Sequence, residues 1–435
     1  MGGGVPRTSP SISAPKGFLA GTHRLRSPAE TLEIIRPHLP AMGITRVANI
    51  TGLDRIGLPV VAVYRPNARS VAVSQGKGVD LTAARVSGLM EAIESWHAEH
   101  PDMPLRLASL AELSERAAGG AFAVIDVSGL PRLSVSGFHA HKPILWCEGR
   151  DLMRGDAPLW VPFELVHTNF TRPLPAGSGN FMMSSNGLSS GNHRLEAISH
   201  GLCEVVERDC LALWTLRGAT ADAAGRLDTA SVDAPSCRAL LDRLHAADQA
   251  VGVWDITSDI GLPAFQCVIA DRRSSPIGQV YSSRGSGCHP TREVALLRAL
   301  TEAAQTRLTY IAGTRDDAHR DMFEEARNAD RVTHIRRQIE EPATPPARRW
   351  EDVVDHASGS LDEDVAWELE RLRAVGIGQV AVVDFESRVP GIAVTRVVVP
   401  GLEGLHDAPG YVPGPRAAAL ARGLEPGGSQ RGTLP

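Results

Sequence analysis

The chain has 435 residues, 43% of them hydrophobic and 22% charged, with a formal net charge of −5. This is the composition of an ordinary globular protein with enough chain for a large core. The acidic balance and the lack of a long Lys/Arg run exclude a nucleic-acid footprint, and no apolar run has the length of a membrane span or the form of a signal peptide, so a cytoplasmic location is the simplest expectation.

In chain order, residues 1–20 are Gly/Pro/Ser-rich and are expected to be disordered. Ser27-Pro28-Ala29-Glu30 forms a capping box with Pro at the first helical position and opens a helix expected to run to about Leu39. The runs ITRVANITG and PVVAVYRP read as a hairpin or meander. A further strand meets the turn Gly76-Lys77-Gly78, and a helix follows with Asp80 as its N-cap. On that helix Leu89, Ile93 and Trp96 form the stripe to be buried, while Ser87, Glu91 and Glu94 form a polar one.

The next predicted elements are a short helix at LASLAELSERA and paired strands ILWCEGRDLM and APLWVPFELV around Arg154-Gly155-Asp156. Residues 184–210, SSNGLSSGNHRLEAISHGLCEVVERDC, read as a polar Gly/Ser/Asn-rich loop leading into an amphipathic helix. Leu195, Ile198, Leu202 and Val205 form its apolar face, and Asn192, Glu196, Glu204 and Glu207 line another. Beyond it come a helix at CRALLDRLHAADQ, strands VGVWDIT and PAFQCVIAD, and a long helix from about Pro290 that stops at Gly313. A Pro-rich connection at 341–349, a helix at WELERLRAVG, strands QVAVVDF and IAVTRVVVP, and a Pro/Gly/Arg-rich tail at 404–435 complete the chain.

Hairpin-linked strands alternating with helices predict an α+β fold of repeated, mostly antiparallel sheet-plus-helix units. Neither GxGxxG between strand and helix nor GxxxxGK[ST] is present, which disfavours Rossmann and P-loop nucleotide binding. Six cysteines, Cys147, Cys203, Cys210, Cys237, Cys267 and Cys288, form no CxxC pair, and Cys203 and Cys210 are read as packing residues. Cys288 and His289 are sequence neighbours that rarely face each other as nucleophile and base. His200 is read as supporting a neighbouring ligand or as structural, rather than as a metal ligand.

A lone ExxE is usually a solvated helix face. Here the motif occurs twice, each time behind a glycine-rich stretch, and two such helices facing each other would bring four carboxylates together. Partly buried like charges call for a cation, and hard oxygens suit Mg²⁺. A metal-dependent hydrolase would use such a cluster too, but the His ligands it commonly recruits are lacking.

The segments TGLDRIGLPVVAVYRPNARSVAVSQGKG, SGLMEAIES, SNGLSSGNHRLEAISHGLCEVVERD, RALTEAAQTRL and VVVPGLEG follow one another over about residues 21–403. Together they resemble the YcaO family. The resemblance implies one domain over 21–403 with an ATP-binding fold peculiar to that family, in which Mg²⁺ held by the ExxE helices carries the triphosphate. It implies activation of a peptide backbone amide: a nucleophile adds to the carbonyl carbon, and the oxygen is phosphorylated and leaves as phosphate. A Cys, Ser or Thr side chain of the substrate would give an azoline, and sulfide would give a thioamide.

By this resemblance Glu91, Glu94, Glu204 and Glu207 hold metal, and Glu196 and Asn192 contact metal or nucleotide. Ser87 contacts the nucleotide, Arg208 a phosphate, and Arg24 and Thr31 form an N-terminal pair near the phosphates. A later arginine is expected at the γ-phosphate, with Arg307 and Arg315 as candidates; Glu207, Arg208 and Arg307 are the residues expected to act in the chemistry. Many azoline-forming members end in PxPxP, whereas here Pro413 and Pro415 give a single PxP far from the terminus. The PGLEG ending is closer to members encoded beside a TfuA partner and associated with thioamide formation. The resemblance therefore implies thioamidation of a peptide or protein, with azoline formation or an accessory role in ribosomal-protein methylthiolation as alternatives. It also implies a TfuA-like partner or a separate leader-peptide-binding protein, and a homodimer.

Overall fold

The computed structural model describes residues 14–219, 223–273, 281–343 and 346–424. The chain opens with helix α1 (Pro28–Ile35), the meander β1 (Arg46–Asn49), β2 (Val60–Tyr64) and β3 (Val73–Lys77), and helix α2 (Leu81–Glu99). There follow β4 (Leu105–Ala108), α3 (Leu110–Ala117), β5 (Ala123–Val124), β6 (Ile144–Asp151), β7 (Ala157–Pro162), β8 (Leu188–Gly191) and α4 (Arg194–Leu216). The next run is α5 (Pro235–Ala246), β9 (Gln249–Asp255), β10 (Ala264–Asp271), β11 (Ser282–Cys288) and α6 (Arg292–Ala312). The chain closes with α7 (Arg320–Ala326), α8 (Ala329–Glu340), α9 (Leu361–Ala374), β12 (Ala381–Phe385), β13 (Ala393–Val398) and α10 (Pro415–Leu424).

The strands form three sheets: β1-β2-β3, β9-β10-β11, and a larger one in the order β5-β7-β6-β12-β13-β8 with β4 also on β6. Among the described residues only β5 and β7 pair in parallel, so the fold is α+β with antiparallel sheets. The predicted hairpins are present, with Ala48 opposite Ala62 and Asp151 opposite Ala157. No helix among the described residues is long and apolar enough to cross a membrane.

Three strand–helix units position the site. In each, a glycine-bearing strand (β3, β8 or β11) runs into a long helix (α2, α4 or α6) that folds back onto it. Ile93 and Leu89 join Val61 and Val63, Leu202 and Ile198 join Val382 and Val397, and Leu300 and Leu296 join Phe265 and Cys267. Local capping sets the helix ends: Asp80 caps α2 (Ala83 N–H to Oδ1, 2.8 Å), and α6 stops at Gly313 with φ +59°.

Several boundaries differ from the sequence-based expectation. Gly76 and Lys77 belong to β3 rather than to a turn, and residues 188–191 form a buried strand rather than a loop. A Cβ at Gly76 would sit 2.1 Å from Gly88 N, and one at Gly285 would sit 2.1 Å from Ala303 N. Glycine is there because the helix backbone lies directly on the strand. Helix α1 stops at Ile35 and continues as 3₁₀ turns, since Pro37 cannot continue an α-helical ladder. The helix expected from Leu107 begins later, at Leu110, where Ser109 and Glu112 form a capping box after β4.

Both ends of the described chain are tied down. Of the stretch expected to be disordered, residues 1–13 lie outside the described residues, whereas Lys16 pairs with Asp364 at 2.7 Å and Pro15 bridges to Ser360. The tail beyond Gly404 packs back: the Gly414 and Ala417 N–H groups donate to Glu403 (2.7 and 2.8 Å), and Arg416 pairs with the fully buried Asp209 at 2.9 Å. Residues 425–435 lie outside the described residues. All six cysteines are free and buried.

Candidate active site

The long helices bring their acids to a common point. Glu91 and Glu94 lie on α2, on the side away from the buried Leu89 and Ile93, and Glu204 and Glu207 lie on α4. The charge of Glu94 is felt against those of Glu91 and Glu204, and that of Glu204 against Glu207, so the four carboxylates share one region. Glu302 on α6 joins them, and its charge acts on Glu91.

Each helix's acid is steadied by the strand of another unit. Ser190 on β8 donates to Glu94 of α2 (2.6 Å), and Ser286 on β11 donates to Glu207 of α4 (2.6 Å). Lys77 at the end of β3 pairs with Glu302 of α6 at 2.7 Å, closing the ring. The three strand residues are equivalent in sequence, in Gly76-Lys77-Gly78, Ser189-Ser190-Gly191 and Gly285-Ser286-Gly287. Glu91 and Glu94 follow Gly78 at the same spacing as Glu204 and Glu207 follow Gly191. The ExxE pairs are therefore two occurrences of one unit, and α6 supplies a third with a single acid.

Around this cluster the other predicted residues fall into place unequally. Glu196 receives the Leu25 N–H (2.8 Å), the Asn192 N–H (3.2 Å) and the guanidinium of Arg24 (3.6 Å), and Thr31 donates to Asn192 Oδ1 (3.2 Å). Arg24, Thr31, Asn192 and Glu196 thus form one network joining the segment around α1 to the start of α4. Arg208 lies 4.0 Å from Glu204 and 3.9 Å from Glu207. Ser87 accepts the Lys77 N–H at 3.4 Å. Arg315 bonds Asp317 (2.8 Å) and acts electrostatically on Glu91.

Arg307 is not brought to the cluster. Its guanidinium is held by Asp271 (2.9 Å) and Asp54 (3.4 Å) beneath the β9-β10-β11 sheet, where both carboxylates are buried. The α6 arginine near the acids is Arg298, which donates to His200 Nε2 at 3.0 Å and whose charge acts on Glu204. Arg298 and Glu302, one helical turn apart in RALTEAAQTRL, were missed from the sequence; the signal was the third glycine-flanked strand, GSG before α6. Arg396 on β13 was missed as well. It is 1% exposed, donates to the Asn186 and Val166 carbonyls (2.8 and 3.0 Å), and has its pKa lowered by burial to about 10 beside Glu204 and Glu94.

The electrostatics ask for a cation. Burial, with the charges of Glu91 and Glu204, pushes the Glu94 carboxyl up to about 8 against the pull of Ser190. Burial likewise raises Glu91, and raises Glu204 to about 7 even with Arg208 beside it. Burial works against the Glu302 charge too, yet Lys77 and Arg208 bring its carboxyl down to about 2. Carboxylates that keep protons near neutral pH for want of positive charge fit a divalent ion well. Among the described residues no three His, Cys, Asp or Glu side chains are grouped closely enough to hold a metal alone. An ion here would complete its shell with waters and phosphate oxygens, which is the habit of Mg²⁺.

Comparison with known proteins points the same way. The family model described as YcaO cyclodehydratase, ATP- and Mg²⁺-binding, matches residues 75–403. A protein of Rhizobium leguminosarum bv. trifolii, described as uncharacterised and lying in the tfuA 3′ region, is 38% identical over 408 residues, 92% of this chain and 94% of that one. The structure of YcaO from Methanopyrus kandleri bound with AMPPCP and Mg²⁺ superposes with a TM-score of 0.68 at 25% identity, covering 90% of this chain and 95% of that one. A heterocyclase in complex with substrate and cofactor gives a TM-score of 0.70 at 24% identity; 90% of this chain is covered, which spans 54% of the heterocyclase and shares its fold.

Proposed function

Since the chain belongs to the YcaO family of ATP- and Mg²⁺-binding proteins, we propose that it activates a backbone amide of a peptide or protein by O-phosphorylation and exchanges the amide oxygen for sulfur, giving a thioamide. The observation that supports the amide-activating part is the ring of acids on α2, α4 and α6, which needs cations and offers them a shared site. The thioamide part is supported by the similarity to a protein of the tfuA 3′ region over almost the full length of both chains.

Glu91, Glu94, Glu204, Glu207 and Glu302 would hold Mg²⁺. The ion supplies charge neutralisation at the phosphates and at the transferring group. Lys77 and Ser286 fix Glu302 and Glu207, Ser190 fixes Glu94, and the three would orient these acids toward the ion. Arg208 and Arg298 would add fixed positive charge on the α4 and α6 sides of the acids to stabilise negative charge on a transferring phosphoryl group. Arg24, through Glu196, ties the segment before α1 to this edge of the site. The amide oxygen is a poor leaving group, and phosphorylation turns it into phosphate, a good one.

A second reading, cyclodehydration of a peptide to an azoline, is supported by the fold shared with the heterocyclase. The peptide's mass separates the two: oxygen-to-sulfur exchange adds mass, while each azoline ring removes one water. Glu204→Ala is expected to abolish ATP hydrolysis and peptide modification together. Modification that survives without hydrolysis would instead fit an accessory role beside another enzyme. Delivery of peptide or sulfur by a TfuA-like partner, and a homodimeric state, belong to the same proposal.

A further inference from the structure

The three strand–helix units are not closed alike around the ring of acids. In each strand the residue two before the ring contact lies on the same face as it: Gln75 before Lys77, Leu188 before Ser190 and Arg284 before Ser286. Gln75 and Leu188 are buried, whereas Arg284 is exposed. A Cβ at Gly285 or Gly287 would strike α6, so Ser286 and Arg284 face the other way, toward α4. At this level the gap between β11 and α4 opens to solvent, with Arg208 partly exposed at its edge.

A loop of the tail, residues 404–414, lies over this gap. Both its ends are fastened at Glu403, whose N–H donates to Asp209 on α4 (3.1 Å) and whose carboxylate accepts from the Tyr411 hydroxyl (2.5 Å) and the Gly414 N–H (2.7 Å). Asp407 in the loop acts electrostatically on both Arg208 and Arg284, which sets the loop between the two walls. On α4, Glu204, Arg208, Leu211 and Thr215 form one stripe, at steps of four, three and four residues. His406 Nε2 lies 3.1 Å from the Thr215 hydroxyl, two helical turns beyond Arg208 on that stripe. The Thr215 proton is committed to the Leu211 carbonyl (2.8 Å), so the hydroxyl oxygen accepts from Nε2–H. His406 is thereby held in the tautomer whose Nδ1 carries a lone pair, and among the described residues that atom receives no hydrogen bond. Burial lowers the pKa of His406, and Arg208 and Arg284 add to this against the pull of Asp407, so the imidazole is neutral near neutral pH.

We propose that His406 is a catalytic residue, the general base that takes a proton from the reacting adduct at Nδ1, an assignment that rests on the amide-activating reading above. The ring itself offers no free base: its acids would be committed to the ion, and its arginines keep their protons. His200 and His289 have their acceptor nitrogens occupied, by Arg298 and by the Thr291 N–H. With hydrosulfide as nucleophile the step balances without a redox partner. Sulfur bonds to the carbonyl carbon, and the C=O π bond opens to an alkoxide. The alkoxide oxygen takes the γ-phosphoryl group of ATP as the bond to ADP breaks. The S–H proton then passes to His406 Nδ1 while C=S forms, and the C–O bond breaks to release phosphate. The imidazolium returns its proton to water through the open gap.

The test uses the full-length protein with ATP, Mg²⁺ and sodium hydrosulfide, and N-acetylhexaglycine amide as the probe, read as ADP released and as the mass of the peptide. His406→Ala should lower the rate about a hundredfold or more, the usual share of a positioned base. Affinity for AMPPCP with Mg²⁺ and the melting temperature should stay as in the parent. Imidazole added to His406→Ala should restore turnover, and substituted imidazoles should restore it in order of their basicity, which a merely structural histidine would not show. Thr215→Val, which frees the ring without removing it, should lower the rate about tenfold, the loss of one hydrogen bond. Undiminished turnover in His406→Ala, or a loss that no imidazole restores, overturns the assignment. A parent that releases no ADP with the probe strikes the amide-activating reading instead, and the parent's own rate tells the two failures apart.

Discussion

Glu94 and Glu204 keep, in the folded chain, protons that the unfolded chain has shed: their carboxyls lie at about 8 and 7 against an ordinary 4.5. Between about pH 5 and 8 the folded state binds more protons than the unfolded one, so these two groups make the nucleotide-free protein less stable as pH rises. Mg²⁺ with AMPPCP needs the ionised forms and gains affinity over the same window. The increase in melting temperature on adding both should therefore be larger at pH 8 than at pH 6; an increment that shrinks with pH would contradict it. Ser190 and Ser286 orient acids without taking a charge themselves, so Ser190→Ala or Ser286→Ala should weaken Mg²⁺-dependent AMPPCP binding by about ten- to a hundredfold. Calorimetry would measure it. Arg307→Met makes the opposite prediction. Arg55 stays 3.5 Å from Asp271, but Asp54 is left buried without a cation, which should cost about 3 kcal/mol of stability, while nucleotide affinity in the folded variant stays as in the parent.

The strand–helix unit is where the sequence was most and least legible. Periodicity located α2, α4 and α6 because Leu89 and Ile93, and Ile198 and Leu202, recur at helical spacing over many residues. Of the strands that precede them, β3 was expected but ended too early at Gly76, and β8 and β11 escaped, because SQGK, LSSG and SSRGSGC carry few β-branched side chains; their small residues make room for a helix backbone. Propensity therefore read turn and loop where close packing made strand. The same mistake hid the third unit, and with it Glu302 and Arg298. At the capped ends local chemistry sufficed: the Ser27–Glu30 box and the Asp80 N-cap form as expected. Gly285→Val should be among the most damaging single changes in the chain, since a Cβ there lies 2.1 Å from Ala303 N and 2.5 Å from Ala299 O. Overpacking of this kind costs about 1–3 kcal/mol or more, and chemical denaturation would show a lower midpoint than the parent.

For the whole molecule, composition and hairpin patterns foretold an antiparallel α+β fold, but could not foretell that the tail returns to it. Glu403, the last residue matched by the family model, gathers Tyr411, Gly414 and Ala417, and Arg416 pairs with Asp209 on α4. Arg416→Ala should destabilise the protein by about 3–5 kcal/mol by leaving a buried carboxylate unpaired. A thermal melt unchanged from the parent would show that the tail is only loosely attached.

The cyclic exchange of strand partners, Ser190 with Glu94, Ser286 with Glu207 and Lys77 with Glu302, has a bearing on synthesis as well as on catalysis. A nascent chain emerges from its N-terminus, and the ring cannot close until α6, which ends at Ala312, has left the ribosome. On the proposed function, ATP should find no place to dock until then, and a chain cut short before that point should be unable to consume it.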